Sequence, residues 1–183
     1  MFKIVCCVVV AGSLAYSHWL ADYRAEHYNV QAEDVPLMPY IPEDAVLIRR
    51  TNEEKEQLCK QSAECSKLAQ AVVWESRGES RQGQRAVASV ILNRVDSSRF
   101  PDTITEVVNQ YKQFSFMEDM HVQKQPSKKD WTTGYIVAYN LLHGVIDRVT
   151  QADHYHAKSV LPFWAKHFRM TEQIGNHVFY ASN

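Results

Sequence analysis

The sequence has no excess of charge of either sign. Its 20 Lys and Arg stand against 21 Asp and Glu, a net charge of −1 over 183 residues. A nucleic-acid binder needs a clear basic face, so that class is excluded. Several chemical signatures are missing too. There is no His-Glu-x-x-His zinc-protease motif, no glycine elbow around Ser115 and no paired-cysteine zinc-ribbon spacing. No internal repeat and no low-complexity tract is present. Long apolar runs are absent except at the start, where Ile4 to Ala15 is apolar and rich in small residues. That run falls short of the roughly 20 residues that span a bilayer core.

What the N-terminus does have is Lys3 before the apolar run and Ser13-Leu14-Ala15 at its end, small residues spaced as a signal peptidase requires. Residues 1–21 are therefore read as a signal peptide or signal anchor, and any membrane contact is assigned to this segment alone. The expected location is exported: the periplasm, the cell envelope, or the membrane facing the wall. Residues 22–50, with Pro36, Pro39 and Pro42, read as a linker or extended arm. The folded domain is expected over 51–183. Cysteines are few. Cys6 and Cys7 lie in the apolar run, and Cys59 and Cys65 flank Lys-Gln-Ser-Ala-Glu. In an oxidising compartment the second pair could form a small disulfide loop. Positions six apart point to different faces of an unbroken helix, so pairing requires a break near Ser62. Two buried free thiols are the alternative.

Hydrophobic spacing makes the domain mostly helical. Thr51 with Glu54 is a capping-box pair opening a helix that runs towards Trp74 and Glu75, with Gly78 as a stop. Gly83 leads into a second helix through Val95. Thr103 and Glu106 open a short helix ending near Gln110. Tyr111 to Pro126 reads as a loop. Ser127 with Asp130 opens the longest helix, to about Val149, whose Trp131, Tyr135, Ala138, Tyr139, Leu142 and Val145 stripe is core. Ala-Asp-His-Tyr-His-Ala and His-Val-Phe-Tyr-Ala-Ser alternate like short strands. The fold class is α+β, mainly helical, with a small C-terminal β element.

Chemistry centres on Glu75, set against Val72, Val73 and Trp74. A glycosidic bond breaks when a carboxylic acid protonates its leaving oxygen, and an apolar flank favours the protonated acid. The other reading is a surface glutamate capped by Arg77 or Arg81. Glu79 follows four residues later, on the same face only if the helix continues past Gly78; a supporting role, fixing the turn around Glu75, is preferred. His154 and His156 alternate on one strand face, with His167 and His177 further on. Such histidines can hold zinc, which makes a zinc amidase or peptidase the rival enzyme class. The surrounding aromatics favour substrate contact or packing instead.

The ordered blocks Trp-Glu-Ser-Arg-Gly-Glu-Ser, Gly-Gln-Arg-Ala-Val-Ala-Ser-Val-Ile-Leu-Asn-Arg-Val, Phe-Pro, Gln-Phe-Ser-Phe, Pro-Phe-Trp and Ile-Gly-Asn-His-Val-Phe resemble the cell-wall hydrolase family of the spore-cortex-lytic enzymes and related phage endolysins. Ser76 stands where that family usually has alanine. The resemblance implies a lysozyme-like fold and cleavage of peptidoglycan glycan strands between N-acetylmuramic acid and N-acetylglucosamine. It places the catalytic acid on Glu75, with Arg77 and Glu79 ordering the turn. Gln113, Phe114, Ser115, His154, Tyr155 and His156 are expected to line the substrate groove. It requires no metal and no cofactor, and a monomer suffices. A lytic transglycosylase needs no second carboxylate, whereas a hydrolytic muramidase with the same Glu75 needs a carboxylate or a positioned water on the far face; with no clear second acid beyond Glu79, the transglycosylase is favoured.

Overall fold

Hydroxyl side chains cap the start of five of the six α-helices among the described residues. The computed structural model describes residues 43–110 and 124–182. The segment 1–21, most of the stretch read as a linker, and the groove candidates Gln113, Phe114 and Ser115 lie outside the described residues. A short helix, α1 (Glu43–Arg49), shows that the end of that linker stretch is helical rather than extended. From Leu47 onward the chain forms one compact unit.

Helix α2 (Asn52–Gln61) opens on the expected box: Thr51 accepts from the Glu54 amide at 3.2 Å, and Glu54 accepts from the Thr51 amide at 2.7 Å. The single long helix expected from Thr51 to Gly78 is broken. Ser62 adopts an extended conformation, φ −96° and ψ 123°, ends α2, and caps α3 (Ala63–Ser76) by accepting from the Cys65 amide. That break brings the Cys59 and Cys65 Cα atoms to 5.1 Å, and the two are joined in a disulfide.

Helix α4 (Arg81–Val95) is capped by Ser80, which accepts from the Gly83 amide at 3.2 Å. The box expected at α5 (Ile104–Asn109) is only half formed. Thr103 accepts from the Glu106 amide, but the Glu106 carboxylate bonds the Thr103 hydroxyl and not its amide. Glu64, reaching across from α3, instead accepts from the Ile104 and Thr105 amides at 2.6 and 3.2 Å. A carboxylate suits the positive end of a helix dipole. Helix α6 (Lys128–Leu142) has its full Ser127–Asp130 box. It stops well before the expected Val149, because Gly144 turns the chain at φ +65°. It equals α4 in length, at 15 residues each.

The main core joins α3, α4, α5 and α6 through Leu68, Val72, Ile91, Val107 and Tyr139, all fully buried. Helix α6 approaches α3 closely at Gly134, where an added Cβ would meet Val73 Cγ2 at 2.5 Å and the Ala69 carbonyl at 3.0 Å. The C-terminal part is a three-stranded antiparallel sheet of β1 (His154–Ala157), β2 (Arg169–Ile174) and β3 (His177–Ala181), in the order β1-β3-β2. Two strands match the alternating segments; β2 was not expected. A 3-10 turn, Phe163–Lys166, precedes β2. Ala86 and Val90 of α4 pack on Ala152, Ile174 and Phe179, which ties the sheet to the helices. Among the described residues, no helix is long and apolar enough to cross a membrane.

Candidate active site

Glu75 lies in the last turn of α3. The helix ends here because Arg77 leaves helical ψ and Gly78 sits at φ +88°. Only glycine adopts that left-handed region without cost. Trp74 and Ser76, on either side, are buried, and Glu75 is half-buried. The turn therefore delivers one carboxylate from an apolar helix end towards the surface.

Tyr155, the second residue of β1, donates its hydroxyl to Glu75 Oε2 at 3.2 Å. Burial, with the neighbouring carboxylate adding to it, pushes the Tyr155 hydroxyl well above its usual 10, so it remains a donor. Its ring stacks near Phe179 and meets the edge of His177, with centroids 5.8 and 5.3 Å away. His177 is buried, and its Nδ1 has no hydrogen-bond partner among the described residues. Burial lowers its pKa, so it is held neutral.

The position of Tyr155 traces to the Leu-Asn-Arg end of α4. Asn93 donates to the carbonyls of Thr150 and Ala152 at 3.0 and 2.7 Å, and Arg94 donates through Nε to the Asp153 carbonyl at 2.7 Å. The strand entering β1 is thus pinned to the helix that follows Glu75. Asn93 and Arg94 were not singled out as site residues. Their signal was a polar pair at the end of an apolar helix.

Glu79 is not on a helix face shared with Glu75, since α3 ends at Ser76. It crosses instead to the β2–β3 turn, accepting from the Asn176 amide at 3.2 Å and the Asn176 side chain at 2.9 Å. Burial raises its pKa, but the Asn176 bonds, helped by His177 and Lys158, bring it below the ordinary value. Arg77 covers the Trp74 ring, 4.9 Å from its centroid, and donates to the Lys124 carbonyl.

Strand alternation separates the other candidates. Tyr155 faces Glu75 and α4, while His154 and His156 face the opposite way. His154 holds Asp153 Oδ1 at 2.9 Å through Nδ1 and packs among Trp164, Phe168 and Phe100. Asp153 is itself fixed by Arg99 and by the Ser182 amide and hydroxyl. His156 has both ring nitrogens engaged, by the Ala157 carbonyl and the Tyr180 hydroxyl. Of the expected groove residues within the described chain, only Tyr155 meets Glu75. Among the described residues, no group of three or more His, Cys, Asp or Glu could hold a metal ion.

A helical layer that brings one glutamate to a small antiparallel sheet is a lysozyme-like arrangement. Solved catalytic domains share it. That of the germination-specific lytic transglycosylase SleB from Bacillus anthracis aligns with a TM-score of 0.51 at 30% identity, over 63% of this chain and 91% of that chain. That of Bacillus cereus SleB aligns with a TM-score of 0.50 at 30% identity, over 72% and 97%. The cell wall hydrolase family model matches residues 78–180, and the chain belongs to that family. The match begins just after Glu75. The spore cortex-lytic enzyme of Oceanobacillus iheyensis is 31% identical over 118 residues, 61% of this chain and 39% of that one. The Bacillus subtilis enzyme of the same name is 30% identical over 112 residues, 61% and 35%. The chain spans between a third and two fifths of the length of these curated relatives.

Proposed function

We propose that this protein is a peptidoglycan lytic transglycosylase that cuts between N-acetylmuramic acid and N-acetylglucosamine, with Glu75 as both acid and base. Protonated Glu75 gives its proton to the glycosidic oxygen as the bond from muramic C1 breaks. The resulting carboxylate accepts the proton of the muramic 6-hydroxyl as that oxygen closes on C1. The product carries a 1,6-anhydro ring, and Glu75 ends as it began. Tyr155, 3.2 Å from Oε2, holds the carboxyl in orientation through both steps. The observation that carries the reading is the division between the two glutamates. Glu75 stands in the last turn of the apolar helix with Tyr155 on its Oε2, while Glu79 is committed to Asn176 on the β2–β3 turn. The two carboxylates are thus not paired across one site, and a transglycosylase uses one.

The domain would occupy residues 51–183, work as a monomer, and be exported to the wall by residues 1–21, encoded by a bacterium or its phage. Mass spectrometry of digested sacculi tests the reaction. Anhydromuramic ends are expected. Reducing muramic ends would replace the reading by hydrolysis with the same Glu75, and free stem peptides would overturn the glycan reading altogether. Glu75→Gln should keep the fold and lower turnover by about 10³-fold or more, the scale of a lost general acid. A folded, active variant would sink the mechanism.

A further inference from the structure

Between β1 and β2 the chain presents an unusual surface. Val160, Leu161, Phe163 and Met170 are 57, 83, 80 and 54% exposed, and they make up most of the large exposed apolar side chains among the described residues. They project from a rigid base. Trp164 and Phe168 turn inward and pack on His154, His156 and Tyr180, with Ala165 and Val178 buried beside them. Met170 lies opposite Tyr180 in the sheet register, and Leu161, Phe163, Lys166 and Tyr180 line one depression. Leu161, Phe163 and Met170 therefore share a face. Residues 160–170 also contain Lys166 and Arg169, both exposed, and no Asp or Glu, within a chain whose net charge is −1.

We propose that this wedge docks the protein on an anionic lipid surface. Apolar tips flanked by cations, with no carboxylate among them, fit the boundary between acyl chains and negative headgroups. A glycan would suit the face less well. Sugar rings stack on flat aromatic faces, whereas the most exposed tips here include the branched aliphatics Leu161 and Val160. An acidic protein surface would meet the cations but would not call for so many exposed apolar tips. The wedge lies on the face of the sheet opposite Tyr155, so docking would leave the Glu75 side free. The proposal does not depend on the reaction catalysed.

The test uses the full chain and vesicles of phosphatidylcholine with or without phosphatidylglycerol. Leu161→Asn with Phe163→Asn should weaken binding to the phosphatidylglycerol vesicles on the order of 100-fold, the scale of two apolar side chains withdrawn from lipid. Lys166→Gln with Arg169→Gln should cost about fivefold per cation, and parent binding should fall as salt rises. The apolar N-terminal run is common to all proteins compared. To separate its contribution, a Phe163→Trp protein should be quenched by brominated lipid more than the parent. Unfolding midpoints should be unchanged, because these side chains are exposed. Four results would each overturn the proposal: vesicle binding equal to the parent's in the double variant; no extra quenching; a parallel loss of turnover on soluble glycan fragments, which would put the tips in the groove; or a shift from dimer to monomer without vesicle binding, which would make the face a self-contact.

Discussion

Replacing Gly175 by alanine should damage the protein by a route that runs through Glu79, and a double-mutant cycle can isolate that route. Gly175 stands at φ +58° in the β2–β3 turn, and a Cβ there would intrude on Glu79 Oε2. Two costs result. The left-handed backbone costs an alanine about 1 kcal/mol. The intruding methyl also displaces Glu79 from the Asn176 amide and side chain, now bonded at 3.2 and 2.9 Å. Hydrogen bonds to a charged acceptor contribute roughly 1.5–3 kcal/mol each when buried. Glu79 is partly exposed, and water replaces much of that, leaving roughly 1–2 kcal/mol for the pair. Glu79→Ala should then cost about 1–2 kcal/mol and Gly175→Ala about 2–3 kcal/mol. In the double variant the methyl has nothing to displace, so the total should remain near 2–3 kcal/mol, a coupling of about 1–2 kcal/mol. Reversible urea unfolding of the four proteins measures it. Costs that add to within about 0.5 kcal/mol would refute the reasoning, because the two residues would then act independently.

Gly134→Ala should destabilise by about 1–2 kcal/mol: overpacking against Val73 and the Ala69 carbonyl exceeds the roughly 1 kcal/mol that alanine gains in a helix. A raised melting temperature would refute the close approach. Reducing Cys59–Cys65, a sequence separation of 6, should cost roughly 2 kcal/mol from regained chain entropy, read as a lower melting temperature under dithiothreitol. Stability should also fall with pH. Burial lowers His154 and His177 beneath 6.5, and the hydrogen bonds of Asp153 and Glu79, outweighing burial, hold them beneath 3.8 and 4.5. All four bind protons more readily unfolded, so their contribution is present above these values and is lost on acidification. The histidine share should go first, below about pH 6.5, and the carboxylate share below about pH 4.5. A melting temperature that is flat or rises from pH 7 to 5 would contradict this.

The sequence was most legible where one residue's chemistry acts within a few positions. Thr51–Glu54 and Ser127–Asp130 are complete boxes within one turn, and both opened helices where expected. Gly78 stopped the helix bearing Glu75 for the same local reason. Errors came where a distant partner decides. The Thr103 box stays half made, with the Glu106 carboxylate held by the Thr103 hydroxyl, and the Ile104 and Thr105 amides are served by Glu64, 40 residues before Ile104. The early end of α6 rests on Gly144, which a continuing apolar stripe concealed. Ser62 was identified as the place where a break would be needed, but whether the chain breaks there depends on folding, and only then do Cys59 and Cys65 meet.

The strand around Tyr155 shows the same limit at the site itself. Alternation alone says that His154 and His156 share one face and Tyr155 the other. It does not say which face meets Glu75. That follows from the order β1-β3-β2 and from Asn93 and Arg94, whose bonds to residues 150–153 fix the rotation of the strand as it leaves α4. With Phe179 of β3 packed on Ala86 and Val90, its partner in register, Tyr155, must point towards the helices. The histidines are then left to the aromatic layer, where Asp153 and Tyr180 hold them. A pattern that resembles a pair of metal ligands in one dimension thus becomes, once the strand has a direction, the base on which the exposed wedge stands.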